Sequence, residues 1–321
     1  MAGTAIAPPP SCVTPPEVAA IGRNRVVPTD YATIQAAVDA ADPGDVVLVQ
    51  PGVYHESVRL KSNVSLVGSG AADTILDARG EGVSLIDFTG ARNVVVQGFT
   101  LTGVGLAKGC SQPDDPFWCS GNWYAAAIYG DGSETDSAHV YGRDPCADTS
   151  ILVTQNVVRD NAIGMMSYFH ARAVVRNNVF VGNTYAFVAN SLQDHALVLY
   201  NAFVANGQEA IGSQAAYLDV VGNIITGSAV GVQHEFIQTG RISCNFFAQV
   251  GTPGERVPIG EQGNLTLGTA FVDAAHGDFR PTAELIAAAG ACLDTAAPDV
   301  VSWTSAEPGA FGGVLGRWTT D

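Results

Sequence analysis

The sequence predicts an all-β solenoid, in which short strands stack coil upon coil along one axis. The first observation is a repeat of about 22 residues, marked by a column of asparagines: Asn156, Asn178, Asn201, Asn223 and Asn245. The second is an apolar residue two places after each asparagine, and the third is a strand-like run on each side of it. A period in the low twenties with β-rich content is typical of β-solenoids, whereas helical repeats are longer and show a 3.6-residue period.

The asparagine column has a structural interpretation. Stacked coils place the same position of successive repeats about 4.8 Å apart. Identical asparagine side chains at that spacing can hydrogen-bond along the stack, while an apolar column packs the interior. The predicted apolar column consists of Val158, Phe180, Phe203, Ile225 and Phe247. In two of the repeats a second asparagine follows, at Asn183 and Asn206. We therefore expect ladders rather than catalytic amides in these columns.

The two ends of the chain resemble those of a known fold family. The segment "YATIQAAVDAADPGDVVLVQPGVYHESVRLKSNVSLVGSG" is similar to the opening of many proteins of the pectin-lyase-like superfamily, pectin methylesterases included. The later segment "FVDAAHGDFRPTAELIAAAGACLD" is similar to their closing segments. The resemblance implies a right-handed parallel β-helix. The catalytic stretches of the methylesterases are not recognisable, so the resemblance does not extend to their reaction.

A single β-helix domain is expected over residues 28–321, after a Pro-rich extension over residues 1–27. Residues 28–45 are predicted to hold a capping helix, because they carry one apolar helical face. That face consists of Ile34, Ala37, Val38 and Ala41. The helix would cover the open strand edges at one end of the solenoid. Residues from about 265 to 321 form the predicted closing segment.

One interruption of the repeat predicts a long inserted loop. Gly98 aligns with the asparagine column and the next asparagine of the column follows 58 residues later, so extra residues lie near 105–147. Long insertions in a solenoid tend to line a binding face. Trp118 and Trp123 in this segment are suited to stacking on sugar rings. The alternative is that these aromatics form a small satellite core pinned by a disulfide.

Composition limits the partners and the location of the protein. With 31 acidic and 15 basic residues, the formal net charge is -16, which disfavours nucleic acid and anionic membranes as partners. No apolar run is long enough to span a bilayer. Six cysteines without CxxC spacing favour disulfides over a zinc site. They predict a secreted or cell-surface protein, extracellular or periplasmic, and we expect it to be a monomer.

One short stretch bears on cofactors. The sequence "DGSETD" at residues 131–136 resembles a short acidic calcium loop, although its ligand set is incomplete. Ca²⁺ is therefore the one cofactor that the sequence leaves open. No metal-binding residues are predicted elsewhere.

The second strand of each repeat predicts a face that could hold a ligand. Its inward column is apolar and consists of Ile128, Met165, Phe187, Ile211 and Val232. Three residues further on, an outward column is polar throughout: Asp131, Tyr168, Asn190, Gln214 and Glu235. Such a stripe, with members about 4.8 Å apart, could hold an extended polysaccharide along the helix axis. The alternative is an ordinary solvated face.

Tyr168 and His170 are the predicted acid–base pair, because residues two apart on one strand point the same way. Asp194 lies in the matching turn of the next coil and joins the candidate catalytic set. Arg172 or Arg176 would neutralise the carboxylate of a uronate during elimination. The sequence therefore predicts a polysaccharide lyase that acts on a uronate-containing glycan.

Two alternative functions stay open. A glycoside hydrolase needs two carboxylates about 5–10 Å apart. Asp131 and Glu235 are too distant, at about four coils or about 19 Å. Asp194 beside Glu235, or Asp131 beside an acid of the insertion, would meet the requirement. The other alternative is a non-catalytic structural or carbohydrate-binding protein at a cell surface, which would use the same stripe without titratable groups of shifted pKa.

Overall fold

The computed structural model describes residues 22–106, 125–132, 149–191, 194–234, 239–274 and 278–293. The elements up to residue 132 are β1 (Asn24–Val27), α1 (Ile34–Ala40), β2 (Val46–Val49), β3 (Gly52–Tyr54), β4 (Val58–Arg59), β5 (Ser65–Gly68), β6 (Thr74–Asp77), β7 (Ile86–Asp87), β8 (Val94–Gln97), β9 (Thr100–Thr102) and β10 (Ile128–Asp131). The later elements are β11 (Ser150–Thr154), β12 (Val157–Arg159), β13 (Ile163–Tyr168), β14 (Arg172–Arg176), β15 (Val179–Val181), β16 (Tyr185–Ala189), β17 (His195–Leu199), β18 (Ala202–Val204), β19 (Glu209–Ser213), β20 (Tyr217–Val221), β21 (Ile224–Thr226), β22 (Val230–His234), β23 (Thr239–Ser243), β24 (Phe246–Ala248), β25 (Leu265–Leu267), β26 (Phe271–Asp273), β27 (Asp278–Pro281) and α2 (Ala283–Leu293).

Most strands belong to three long parallel sheets, named A, B and C. In spatial order, sheet A contains β1, β2, β5, β8, β11, β14, β17, β20 and β23. Sheet B contains β3, β6, β9, β12, β15, β18, β21, β24 and β25, and sheet C contains β4, β7, β10, β13, β16, β19 and β22. From β2 to β22 the chain visits A, B and C once per coil, and each strand after the first of its sheet pairs with its counterpart in the coil before. The predicted parallel β-helix is confirmed.

A two-residue turn joins sheet A to sheet B in the regular coils, and its second residue is the ladder asparagine. The first turn residue is left-handed, as at Gln155, whose φ is 57°. From Asn178 onward, each ladder asparagine Oδ1 accepts hydrogen bonds from the asparagine one coil earlier. For Asn201 the donors are the backbone N and the Nδ2 of Asn178, both at 3.0 Å. The five predicted ladder asparagines are at most 2% exposed, and Asn264 adds a further rung. The predicted ladder is confirmed.

The position of Gly98 differs from the prediction by one residue. Strand register places Gly98 opposite Gln155, and Phe99 opposite Asn156. The backbone N–H of Phe99 donates to Asn156 Oδ1 at 3.0 Å. The alignment of Gly98 with the asparagine column is therefore wrong, because this glycine supplies the left-handed turn position, with a φ of 79°.

A second ladder lines the turn from sheet B to sheet C. Asn183 Oδ1 accepts from the N and Nδ2 of Asn161 at 3.2 and 3.0 Å. Asn206 Oδ1 accepts from the same two atoms of Asn183, both at 3.1 Å. These three asparagines are buried. Both ladders fix the register of successive coils, because a slip would leave buried amides unpaired.

The interior is filled by the predicted apolar column. Its five members, two residues after each ladder asparagine, are 0% exposed. The rings of Phe180 and Phe203 stack with centroids 5.0 Å apart and an interplanar angle of 11°. Together with the inward residues of sheet C they form one continuous core.

The N-terminal end is capped as predicted. The side chain of Thr33 accepts a hydrogen bond from the backbone N–H of Ala36 at 3.1 Å and starts α1. The buried face of α1 consists of Ile34, Ala37 and Val38, and the helix contacts β1, β2 and β4. Within the described residues, the first strand of sheet A, β1, begins at Asn24, ahead of the boundary predicted at residue 28.

The other end is closed by α2. Leu285 and Ala289 of this helix pack with Phe246 of sheet B. A disulfide joins Cys292 in α2 to Cys244, in the turn after β23. The remaining cysteines lie outside the described residues, and they are Cys12, Cys110, Cys119 and Cys146. Neither α1 nor α2, the helices of the described ranges, combines the length and apolarity that crossing a membrane requires.

The predicted insertion contains one strand of the solenoid. Residues 125–132 are described and include β10, which pairs with β7 and β13 in sheet C. The other parts of the predicted loop, residues 107–124 and 133–148, lie outside the described residues.

Candidate functional site

The outer face of sheet C carries the predicted polar stripe. Strand pairing sets the predicted inward column in register, from Ile128 in β10 to Val232 in β22. These five side chains are at most 2% exposed. Because side chains alternate along a strand, the residue three places further on faces outward. The predicted outward column therefore lies on the outer face.

Four members of the outward column lie within the described residues. Asp131 is the Cα partner of Tyr168. Asn190 and Gln214 follow directly after the ends of their strands, and each donates its backbone N–H to a carbonyl of the coil before, at 3.1 Å. All four residues are half-buried. Outside the described residues lie Trp118, Trp123 and Glu235.

An apolar and aromatic cluster lies beside the stripe. Met166 and Val188 are in register with Tyr129 on the outer face, yet each is only 1% exposed. Tyr129, Tyr168 and Tyr185 pack against them and stay partly exposed. Flat rings with a polar tip suit stacking on sugar rings. The sequence did not predict Tyr129 and Tyr185 as site residues. Each lies nearer the start of its strand than the member of the predicted polar column does.

Two carboxylates, those of Asp87 and Asp131, lie on neighbouring coils of this face. Asp87 is the Cα partner of Tyr129, and its Oδ1 accepts the N–H of Thr89 at 2.8 Å. The backbone N–H of Asp131 donates to Thr89 Oγ1 at 3.2 Å, so Thr89 lies beside Asp131. Asp131 therefore lies diagonally from Asp87, one strand and two residues away, and this geometry places the two carboxylates roughly 8 Å apart. The hydroxyl of Tyr129 donates to Asp131 Oδ2 at 3.3 Å.

Sequence reasoning missed Asp87. Its strand, β7, has two residues, and its coil precedes the regular repeats. The apolar–polar–apolar order of Ile86, Asp87 and Phe88 could have revealed it. Ile86 and Phe88 are 0% exposed, so Asp87 between them must face outward.

The turn from sheet C to sheet A separates two residues that were predicted to share a strand. Tyr168 is the last residue of β13. Phe169 and His170 follow it in left-handed conformations, with φ values of 36° and 54°. The prediction that Tyr168 and His170 point the same way along one strand is therefore wrong, because the backbone turns between them. The ring of Phe169 meets that of Tyr168 edge-on at 4.1 Å.

The Asp194 carboxylate links the turns from sheet C to sheet A in two successive coils. It lies in the matching turn of the next coil, as predicted, and is 1% exposed. Its Oδ1 accepts the N–H of Ala171 at 3.0 Å, and its Oδ2 accepts the N–H of Asn190 at 3.2 Å. The carboxylate thus positions the turns of two coils, including the one that carries Asn190.

The two predicted cations lie on a different sheet. Arg172 and Arg176 are the first and last residues of β14 in sheet A. Alternation with the buried Ala173 and Val175 directs both side chains to the outer face of sheet A. Arg172 is 7% exposed.

His195 begins β17 beside Arg172. It pairs in register with Arg172 and Tyr217, and its ring meets the Tyr217 ring edge-on at 4.7 Å. Both ring nitrogens are enclosed without a hydrogen-bond partner in the described part of the chain. Burial, with a smaller effect from the positive charge of Arg172, lowers the pKa of His195 from 6.5 to about 4. The imidazole is therefore neutral at pH 7.

Replacing His195 with phenylalanine is expected to flatten the acid side of the stability profile. The unfolded chain takes up a proton at this histidine near pH 6.5, whereas the folded chain does so near pH 4. The wild type therefore loses stability as the pH falls from 6.5 to 4, by about 3 kcal/mol from this group. Phenylalanine keeps the ring contact and does not titrate. Urea unfolding at pH 7 and pH 4 measures the difference.

The control is Tyr217→Phe, which keeps its ring and removes no group that titrates between these pH values. We expect this variant to lose as much stability with acid as the wild type. Equal acid losses in His195→Phe and the wild type would contradict the prediction.

The described residues contain no group of three or more His, Cys, Asp or Glu side chains that could hold a metal ion. Of the predicted calcium stretch, residues 131 and 132 are described and residues 133–136 lie outside the described ranges.

Comparison with known sequences gives one family match. The family described as "NosD: Periplasmic copper-binding protein (NosD)" matches residues 123–252. No curated protein matches the chain.

Several solved structures are similar to this chain. Pectin methylesterase PemA from Erwinia chrysanthemi is 14% identical, with a TM-score of 0.38, over 93% of this chain and 98% of that chain. A mannuronic acid specific polysaccharide family 6 lyase from human gut microbiota is 11% identical, with a TM-score of 0.37, over 70% of this chain and 67% of that one. The A-module of mannuronan C-5 epimerase AlgE6 from Azotobacter vinelandii is 15% identical, with a TM-score of 0.24, over 74% and 94% of the two chains.

The order of the sheets and the asparagine ladders together assign the fold of this chain. Three parallel sheets are visited in the same order in each coil, and two buried asparagine ladders hold the coils in register. These features identify the chain as a parallel β-helix protein.

Proposed function

We propose that the outer face of sheet C binds an extended polysaccharide, and that Asp87 and Asp131 hydrolyse a glycosidic bond there. The observation that carries the proposal is this pair of carboxylates on neighbouring coils, within the window of about 5–10 Å that hydrolysis uses. Tyr129 and Tyr168 beside them offer ring faces to a sugar. Asn190 extends the polar column along the axis.

The reaction adds one water across the glycosidic bond. One carboxyl group protonates the glycosidic oxygen as its bond to the anomeric carbon breaks. The other, as carboxylate, removes a proton from the attacking water, or attacks the anomeric carbon and is then released by water. Either route creates one new reducing end and restores both carboxyl groups. The Tyr129 hydroxyl, 3.3 Å from Asp131 Oδ2, would hold that carboxylate in position.

The charges of this face favour hydrolysis over elimination. In the described strands of sheet C, the outward charged side chains are Arg59, Asp87, Asp131 and Glu209. During elimination, charge builds on the uronate carboxylate and needs a cation beside it. The three acids outnumber the single cation, Arg59, so the face as a whole opposes that charge, and Arg172 and Arg176 lie on the outer face of sheet A.

Elimination is the second candidate, and the order of residues at the corner favours it. Tyr168 ends β13, His170 follows in the turn, and Arg172 begins β14. Tyr168 or His170 would remove the proton at C5 of a uronate, and the other would protonate the leaving oxygen at C4. An unsaturated uronate would form. Arg172 or Arg176 would neutralise the substrate carboxylate, and Asp194 would hold the turn.

The location proposed for this activity is outside the cell or in the periplasm. The Cys244–Cys292 disulfide supports it, because disulfides persist in oxidising compartments. The matching family is described as periplasmic. The copper in that description is not carried over, because the described residues lack a group of three His, Cys, Asp or Glu ligands.

A polysaccharide panel tests the proposal. Neutral and uronate-containing glycans are incubated with the protein, with and without calcium, and two signals are read. New reducing ends report hydrolysis or elimination, and ultraviolet absorbance of an unsaturated uronate reports elimination alone. We expect reducing ends without absorbance, lost in Asp87→Asn and kept in His170→Ala.

The other outcomes separate the alternatives. Absorbance that disappears in Tyr168→Phe or His170→Ala would overturn hydrolysis and establish elimination. Binding of a glycan without any product would establish a carbohydrate-binding protein. Neither binding nor products on the whole panel would overturn the assignment of a polysaccharide site.

A further inference from the structure

A glycine opens a notch in the outer face of sheet C, away from Asp87 and Asp131. Gly212 continues the outward column that holds Val188 before it and Gln233 after it. A Cβ at Gly212 would overlap Oε2 of Glu209 and would lie 3.7 Å from Val188 Cγ2. The Glu209 side chain therefore folds along its strand, and its carboxylate lies over the glycine.

The groups around this notch are those that recognise sugar hydroxyls. Tyr185 is the Cα partner of Glu209 in the preceding coil. Gln214, two residues after Gly212, belongs to the polar column, and Gln233 lies on the next coil. A carboxylate accepts hydrogen bonds from hydroxyl groups, amides both donate and accept, and a phenol ring offers a stacking surface. The notch thus combines all three kinds of contact.

We propose that the Glu209 carboxylate over Gly212 forms a distal subsite for an uncharged sugar residue. Asp131 and Glu209 are on strands three coils apart, so the subsite lies about 14 Å along the axis from the carboxylate pair. This inference rests on the proposed polysaccharide site and names the substrate class for one position of it. A uronate at this position would meet the Glu209 carboxylate and be repelled, because the two charges have the same sign.

The experiment compares oligosaccharides that differ in length and in charge. The probes are short and long oligogalacturonides, the same oligosaccharides with their carboxylates reduced to alcohols, and matched lengths of any glycan cleaved in the panel. Binding is measured by calorimetry in the Asp131→Asn background, so that substrates stay intact. The variants are Glu209→Gln and Gly212→Ala, with the exposed Glu81→Gln as control.

Glu209→Gln is expected to weaken binding of long neutral oligosaccharides about tenfold, because a hydrogen bond to a charged acceptor becomes one to a neutral acceptor. It should leave short oligosaccharides unchanged and strengthen binding of long charged ones. Gly212→Ala should weaken long neutral ligands as well, because the added methyl displaces the Glu209 carboxylate. Glu81→Gln should change none of these affinities.

Three results would overturn the subsite. Equal effects of Glu209→Gln on short and long ligands would place the contact elsewhere. If Glu209→Gln left the affinity for long neutral ligands unchanged, or did not raise the affinity for long charged ligands, the carboxylate would have no role in the subsite. Failure of the polysaccharide site itself is distinguishable, because no panel glycan would then bind even with Glu209 intact, and both proposals would fall.

Discussion

Replacing Asn201 with alanine is expected to lower the free energy of unfolding by about 4 kcal/mol. The Asn201 side chain is 0% exposed. Its Oδ1 accepts from the N and Nδ2 of Asn178 at 3.0 Å, and its Nδ2 donates to Val175 O at 2.8 Å and to Asn223 Oδ1 at 3.1 Å. Alanine leaves the buried N–H of Asn178 without its acceptor and removes one hydrogen bond each from Asn178 Nδ2, Val175 O and Asn223 Oδ1. Asn178 Nδ2 and Asn223 Oδ1 keep other partners, so we expect a cost of about 1 kcal/mol for each of the four lost bonds. Equilibrium unfolding in urea measures the loss.

Asn190→Ala is the matched control for the ladder. Asn190 is half-buried, directly follows β16 and lies outside both ladders. Its substitution should change stability by less than about 0.5 kcal/mol, as surface substitutions usually do. If Asn201→Ala cost no more than Asn190→Ala, the ladder would not hold the coils in register.

Asp131→Asn is expected to reduce glycan cleavage about 10²- to 10⁴-fold, because it removes one member of the proposed acid–base pair. Its amide cannot deliver or accept the proton at the glycosidic bond. The side chain keeps its size, so the hydroxyl of Tyr129 still has an acceptor. Initial rates of reducing-end formation measure the effect, with KM determined separately from kcat to show that the loss lies in catalysis.

The control is Asp160→Asn, on the turn after sheet B. Asp160 is exposed, pairs with Arg159, and has a left-handed φ of 56°, which asparagine also tolerates. This variant should cleave at the wild-type rate. A wild-type rate in Asp131→Asn would reject the carboxylate pair.

The regular part of the fold was predictable because its signal repeats. A ladder asparagine must recur once per coil, so Asn156 to Asn245 mark the period even without a partner sequence. Ile128 is in register with Met165 although the inserted segment separates them by 37 residues, and the apolar strand pattern rather than the period predicts this pairing. Alternation along the strands then assigns Asp131 and Tyr168 to the outer face.

The irregular positions could not be read from the period. His170 leaves the strand because two left-handed residues turn the backbone after Tyr168, and no residue type at Phe169 announces such a turn. Asp194 reads as a candidate acid, yet its buried carboxylate accepts two backbone N–H groups. Asp87 was missed because a two-residue strand carries no recognisable period.

The most direct measurement is a crystal structure of the Asp131→Asn variant with an oligosaccharide that the wild type binds. We expect sugar rings along the outer face of sheet C, with a glycosidic oxygen between residues 87 and 131 and a sugar residue over Gly212. An oligosaccharide bound to the outer face of sheet A, beside Arg172 and His195, would contradict this expectation.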